Sequence, residues 1–210
     1  MKHLITKILN LGACIYDKWA RHNLLEIYEK LINLADINGN ERILDIGCGS
    51  GTLNLMIAEI LNEGSVCGID VAPKMINIAK KKAKEQDYKI DYKVGSSTKL
   101  PYENNEFDII FTCLMYHHLT YEEKSETLNE IQRVLKQDGK YFSFELCGSP
   151  DDLFHQIFLK LFTGNSGIMQ GLYPVEIIDK SGFYIEKEIK GSSFAKHHHT
   201  SYRVLKIEHG

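Results

Sequence analysis

Three glycines at alternate positions, Gly47, Gly49 and Gly51, separate a short apolar run that contains Asp45 from a second apolar run. This pattern predicts a strand, a tight turn and a helix. Glycine permits the sharp turn and lets the backbone come close to a ligand, and the first N–H groups of a helix have no partner within it. The pattern therefore predicts a loop that binds a nucleoside cofactor.

The glycine spacing distinguishes between cofactors. Dinucleotide-binding proteins carry G-x-G-x-x-G/A, and Thr52 stands where the third small residue would fall. The stretch D-I-G-C-G-S-G instead resembles motif I of the class I S-adenosylmethionine (SAM)-dependent methyltransferases, whose glycine loop wraps the methionine and ribose portions of SAM. The resemblance implies SAM as the cofactor and assigns five contact residues to this segment: Asp45, Gly47, Cys48, Gly49 and Gly51.

Asp70, at the end of the second predicted strand, is the best single cofactor residue. The oxygens of a carboxylate are acceptors only, so one such group can bind both ribose hydroxyls. The family places apolar contacts to adenine at the positions of Val71 and Met75, although Met75 fits equally well as a core residue. The family's G-D-A-x-x-L-P segment has Ser96 and Ser97 here, and a hydroxyl binds the adenine amino group more weakly than a carboxylate.

A later segment supplies candidates for catalysis. The stretch F-D-I-I-F-T resembles motif IV, and the following segment, which begins at Cys113, resembles the L-H-H-L of the group that includes the ubiquinone and menaquinone C-methyltransferases. Cys113 joins the predicted cofactor contacts. The candidate catalytic groups are Tyr16, His117, His118 and Glu145; a structural role remains an alternative for the histidines and for Tyr16.

The elements that must position these residues alternate between strand and helix. The periodicity predicts helices over 2–11, 17–36, 52–62, from 73, over 121–137, 150–162 and 174–180, and strands over 43–46, 65–69, 88–94, 107–112, 140–146, 183–189 and 202–207. This order predicts an α/β, Rossmann-like seven-stranded sheet, mostly parallel with an antiparallel last strand and with helices on both faces. The resemblance covers about residues 41–146.

Residues 1–210 are predicted to form one domain, with an N-terminal helical cap at 1–36, a SAM-binding core at 37–146 and acceptor-side elements at 147–210. The apolar stripe from Leu153 to Phe162 either packs on the sheet or lines an acceptor pocket. His197, His198 and His199 are expected to border the crevice, as a solvated loop or as a ligand for metal or acceptor.

Composition and net charge limit the kinds of molecule that this chain is expected to bind. A net charge of -3 and a pI near 6.3 argue against nucleic acid, and the run Lys80 to Lys82 is expected to be the solvated face of a helix. Five cysteines and the lack of a long apolar segment fit free thiols in the cytoplasm, without a membrane span.

The predicted reaction is therefore methyl transfer from SAM to a small, partly hydrophobic acceptor. Two other classes remain: a SAM-binding regulatory or scaffold protein without turnover, and, less favoured because of Thr52, a nicotinamide-dependent oxidoreductase.

Overall fold

A central sheet positions the predicted site, and the chain reaches it through alternating elements. The computed structural model describes residues 17, 24–147, 178, 182–192 and 199–207. The helices are α1 (Leu25–Ala35), α2 (Thr52–Ile60), α3 (Pro73–Glu85) and α4 (Tyr121–Val134), and the strands are β1 (Arg42–Ile46), β2 (Ser65–Asp70), β3 (Ile90–Val94), β4 (Phe107–Cys113), β5 (Leu135–Cys147), β6 (Phe183–Ser192) and β7 (His199–Ile207).

The strand order is β3-β2-β1-β4-β5-β7-β6. The first five strands are parallel, and β7 runs antiparallel to both β5 and β6. The predicted α/β, Rossmann-like class is confirmed. From β1 the chain builds outward to β3 and then returns to place β4 on the other side of β1, which creates a crevice at the carboxyl ends of β1 and β4.

Apolar side chains fill both faces of this sheet. One cluster lies between the sheet and α4 and includes Leu128, Ile131 and Ile178, while a second packs α1 and α2 against the other face through Leu31, Leu53 and Phe142. Helix α4 begins with a capping box in which the Thr120 hydroxyl accepts from the Glu123 N–H and the Glu123 carboxylate accepts from the Thr120 N–H.

Several predicted boundaries differ from the structure. Helix α4 ends at Val134 rather than at 137, because β5 already begins at Leu135 and pairs there with the start of β4. Strand β3 begins at Ile90 rather than at 88. The predicted elements over 2–11 and 150–162 lie outside the described residues, as does the predicted helix over 174–180 apart from the buried Ile178.

The lysine run is not uniformly solvated. Lys80 and Lys81 are exposed, but Lys82 is 5% exposed because it turns inward from α3 to an ion pair with Asp17. Among the described residues no helix has the length and apolar character needed to cross a bilayer.

Candidate active site

The glycine loop is tied to the end of β2 by its own backbone. The N–H groups of Gly47 and Cys48 donate to the Ile69 carbonyl at 2.8 and 3.1 Å, and Gly51 N–H donates to the Cys48 carbonyl at 2.9 Å. Helix α2 then begins at Thr52 without a side-chain cap. The hydrogen bonds of Gly47 and Cys48 therefore stabilise the shape of the loop. The N–H groups in the first turn of α2 have no side-chain acceptor at the N-cap of the helix.

Two of the glycines are required sterically. Gly47 and Gly51 both have φ of +76°, where an L side chain is strained. A Cβ on Gly47 would lie 2.5 Å from Met115 Cγ, and one on Gly51 would overlap the Tyr92 hydroxyl. The loop is thus packed directly against Met115, which follows β4, and against Tyr92 of β3.

Asp70, the last residue of β2, binds the glycine loop through its carboxylate. Its Oδ2 accepts the Gly49 N–H at 2.9 Å and its Oδ1 accepts the Ala72 N–H at 2.8 Å. Burial raises the pKa of Asp70, and these two amides act against that rise. Two N–H donors leave acceptor capacity on both carboxylate oxygens, so the position predicted for ribose binding retains lone pairs for a diol.

Asp45 lies beneath the loop and is 2% exposed. Burial raises its pKa to about 8, and the nearby charge of Asp70 adds to the shift. Two carboxyl groups in one buried place cannot both ionise easily without a compensating cation. A cationic ligand in the crevice would favour the ionised form of Asp45.

The other predicted cofactor residues fall into three environments. Val71 is 39% exposed beside Asp70, whereas Met75 is 2% exposed and packs with Ala72, as expected of a core residue. The serine hydroxyls have protein partners, Ser96 with Thr98 and Ser97 with Thr127, both at 2.9 Å. Cys48 and Cys113 are free thiols, buried and half-buried respectively, and burial raises both pKa values.

The segment after β4 is held by Glu145 of β5. Glu145 is 2% exposed, and its Oε1 accepts the N–H groups of Met115 and Tyr116, both at 2.8 Å. The preceding Leu114 has φ of +54° and donates its N–H to the Phe144 carbonyl at 2.9 Å. A leucine in the left-handed region costs free energy that surrounding contacts must offset, and Glu145 supplies two of them.

The predicted catalytic residues are placed unequally. His117 and His118 belong to a short 3-10 turn, Tyr116–His118, at the carboxyl edge of β4, where His118 is half-buried. Glu145 lies at the same edge but faces backbone amides. Tyr16 is outside the described residues.

The histidines predicted to border the crevice are described only in part. His197 and His198 lie outside the described residues. The backbone of His199 begins β7 and pairs with Cys147 at the end of β5. In the part of the chain that is described, no group of three or more side chains is arranged to hold a metal ion.

An ion pair missed by sequence reasoning connects the N-terminal part of the chain to the loop's helix. Lys82 Nζ donates to Asp17 Oδ1 and to Thr52 Oγ1, both at 2.9 Å. Lys82 and Asp17 are 65 residues apart, so only the fold brings them together. The position of Lys82 on the apolar stripe of α3, with Met75, Ile76 and Ala79, is the sequence signal that could have revealed its burial.

Comparison with known proteins agrees with this geometry. A family model described as a methyltransferase domain matches residues 43–139. The ubiquinone/menaquinone biosynthesis C-methyltransferase UbiE of Citrifermentans bemidjiense is 30% identical over 165 residues, which cover 75% of this chain and 65% of the relative. The match spans about half the length of several other curated relatives.

A solved structure of a SAM-dependent methyltransferase from Aquifex aeolicus has the same fold. It superimposes with a TM-score of 0.63 at 20% identity, covering 84% of this chain and 88% of the other.

Proposed function

Because this chain belongs to the class I SAM-dependent methyltransferases, as its motifs predicted, we propose that it methylates a small, partly hydrophobic acceptor in the crevice at the carboxyl ends of β1 and β4. The observation that carries the proposal is the contact between the glycine loop and the segment after β4, where only a glycine at position 47 leaves room for Met115. This contact fixes the predicted cofactor loop relative to the predicted acceptor segment.

The residues present fit SAM. Asp70 has acceptor capacity on both oxygens for ribose hydroxyls, Val71 offers an exposed apolar surface for adenine, and Asp45 provides a buried acid whose ionisation a cation favours. Ser96 and Ser97 already bind neighbouring hydroxyls, so their proposed adenine contacts use remaining acceptor capacity. When bound, SAM supplies an electrophilic methyl group on a sulfonium.

The protein's contribution is then to orient the acceptor and to take up its proton. Holding the nucleophile in line at near-attack distance is the larger effect, and a positioned base adds to it. His118 and His117 are the proposed proton acceptors because their turn lies at the crevice, and Tyr16 is a proposed acceptor contact. Glu145 acts as a positioning residue, since its Oε1 is occupied by two backbone N–H groups.

The proposed organisation keeps residues 1–210 as one methyltransferase domain, in which the segment at 1–36 covers the cofactor and the segment at 147–210 varies with the acceptor. The Asp17 to Lys82 ion pair supports the first part, because it links the N-terminal segment to the helix that follows the glycine loop.

Calorimetry and product analysis test the proposal. We expect SAM and S-adenosylhomocysteine to bind at micromolar concentrations and raise the melting temperature, whereas NAD does neither. Formation of S-adenosylhomocysteine should then depend on an acceptor, and aromatic quinols are the first to test because the UbiE relative's name refers to quinone biosynthesis. SAM binding without turnover on any acceptor would favour a SAM-binding scaffold instead, and NAD binding without SAM binding would favour an oxidoreductase.

A further inference from the structure

Ser96 lies at the edge of the sheet where the base of the cofactor is expected. The Gly95 N–H donates to the Asp70 carbonyl at 3.0 Å, and Val94 pairs with Asp70 at the ends of β3 and β2. The glycine loop contacts Asp70 from the β1 side, so the base of a nucleoside whose ribose binds Asp70 is expected on the β3 side, one strand away. Val71 and Val94 are both exposed there and offer an apolar surface to a planar ring.

Contacts with α4 fix the backbone that carries Ser96. The hydroxyls of Ser97 and Thr127 are hydrogen-bonded at 2.9 Å. The Leu100 N–H donates to Glu130 Oε2 at 2.6 Å. Because both of these contacts hold the segment on a packed helix, a change in the hydrogen bonding of Ser96 requires only the rotation of hydroxyl hydrogens and no movement of the backbone.

After its contacts with Thr98, the Ser96 hydroxyl has one hydrogen-bonding position left, and that position can be a donor or an acceptor. Ser96 Oγ accepts the Thr98 N–H at 3.3 Å and pairs with the Thr98 hydroxyl at 2.9 Å, where either oxygen can donate. A hydroxyl has one O–H and two lone pairs. If Ser96 donates to Thr98, one lone pair of Ser96 remains for a ligand, and if Thr98 donates to Ser96, the O–H of Ser96 remains.

The neighbouring pair of Ser97 and Thr127 is reversible in the same way, since either hydroxyl can donate. Two consecutive residues therefore carry hydroxyls that can change between donor and acceptor. The edge of adenine presents a donor, the 6-amino group, next to an acceptor, the ring nitrogen N1. A 6-oxopurine presents the reverse, an acceptor oxygen next to an N1–H donor. Reversible hydroxyls suit both of these edges.

We propose that the hydroxyl pair of Ser96 and Thr98 lets the base subsite accept a 6-oxopurine nearly as well as adenine, and that Ser96 is the residue that sets this selectivity. The inference rests on the proposed function, because it concerns the base of the cofactor in the same crevice. A carboxylate at position 96 would only accept hydrogen bonds, so it would favour a 6-amino group and repel a 6-oxo group. The serine hydroxyl gives up that preference.

Calorimetry of the full chain with S-adenosylhomocysteine and with its 6-oxo analogue, S-inosylhomocysteine, tests the inference. Neither ligand carries the sulfonium charge of SAM, so an added carboxylate acts mainly on the base. We expect the wild type to bind the two ligands within about threefold of each other. Ser96→Asp should bind S-inosylhomocysteine at least about tenfold more weakly than S-adenosylhomocysteine, because the 6-oxo group then meets a carboxylate that has no hydrogen to donate.

Two further variants serve as controls. Asn62→Asp adds the same charge at an exposed residue before β2, at the opposite edge of the sheet, and should keep the wild-type ratio of the two dissociation constants. Ser96→Ala removes the hydroxyl without adding a charge and should weaken the binding of both ligands by a similar factor. This variant and the wild-type ratio test the inference even if Ser96→Asp does not fold.

Three results would overturn the inference. The first is a wild type that prefers S-adenosylhomocysteine by about tenfold or more. The second is a ratio in Ser96→Asp that equals the wild-type ratio, and the third is a Ser96→Ala variant that binds only one of the two ligands more weakly. Failure of the wild type to bind either ligand would instead contradict the proposed function.

Discussion

Replacing Glu145 distinguishes a positioning role from a role in proton transfer. Its Oε1 accepts two buried N–H groups, those of Met115 and Tyr116, and Glu145→Ala leaves both without an acceptor. Each unsatisfied buried group costs about 1 to 3 kcal/mol, so the free energy of unfolding should fall by about 2 to 6 kcal/mol. Glu145→Gln keeps a carbonyl oxygen for both donors and loses only the charge assistance, which should cost about 1 to 2 kcal/mol.

Three measurements compare Glu145→Ala and Glu145→Gln with the wild type: urea denaturation, amide hydrogen exchange and turnover to S-adenosylhomocysteine. We expect faster exchange at Met115 and Tyr116 in Glu145→Ala, near-normal exchange in Glu145→Gln, and turnover that follows the exchange rates. If Glu145→Gln lost as much turnover as Glu145→Ala while its amides stayed protected and SAM binding was unchanged, the carboxylate would be transferring a proton and the positioning role would be wrong.

Three further predictions concern the cofactor side. Asp70→Ala should weaken SAM binding by about tenfold or more in calorimetry, because charge-assisted bonds to the ribose are lost, and an unchanged dissociation constant would remove Asp70 from the site. Lys82→Met should lower the free energy of unfolding by about 3 kcal/mol in urea, since it removes the buried ion pair with the Asp17 carboxylate. Adding Asp17→Leu should recover part of that loss, and additive effects of the two substitutions would refute the coupling. The pKa of Asp45 is raised from 3.8 to about 8, so between these pH values the folded protein retains a proton that the unfolded chain has released. The free energy of unfolding should therefore fall as the pH rises through this range, by up to about 1.4 kcal/mol per pH unit. Asp45→Asn should remove this part of the slope in denaturation at several pH values, and an identical slope would show that Asp45 ionises normally.

The cofactor side of the fold could be predicted because its signals are local. Alternate glycines, an acidic residue after a short apolar strand and a proline at the start of α3 each act through neighbouring backbone, and the structure places Asp45, Gly47 and Asp70 at one edge of the sheet. Such features depend on φ angles and side-chain periodicity, which a sequence displays directly.

The remaining features depend on contacts between distant residues. Nothing in the sequence around Leu114 indicates a left-handed φ, because leucine rarely adopts it and the stabilising Glu145 is on another strand. A similar limit applies to the lysines at 82 and 124, since a charged residue in a polar stretch predicts solvent exposure unless its place on the inward stripe of the helix is given more weight.

The pairing of β1 with β4 also has a consequence for how the protein folds. Residues 42–46 pair locally with β2, but their pairing with β4 joins segments about 65 residues apart, as the Arg42 to Asp108 hydrogen bond shows. Closing so long a loop is slow relative to forming the local pairs, so the two halves of the parallel sheet should form first and dock afterwards. The crevice is created by that docking, and a ligand bound there should slow unfolding while leaving the refolding rate almost unchanged.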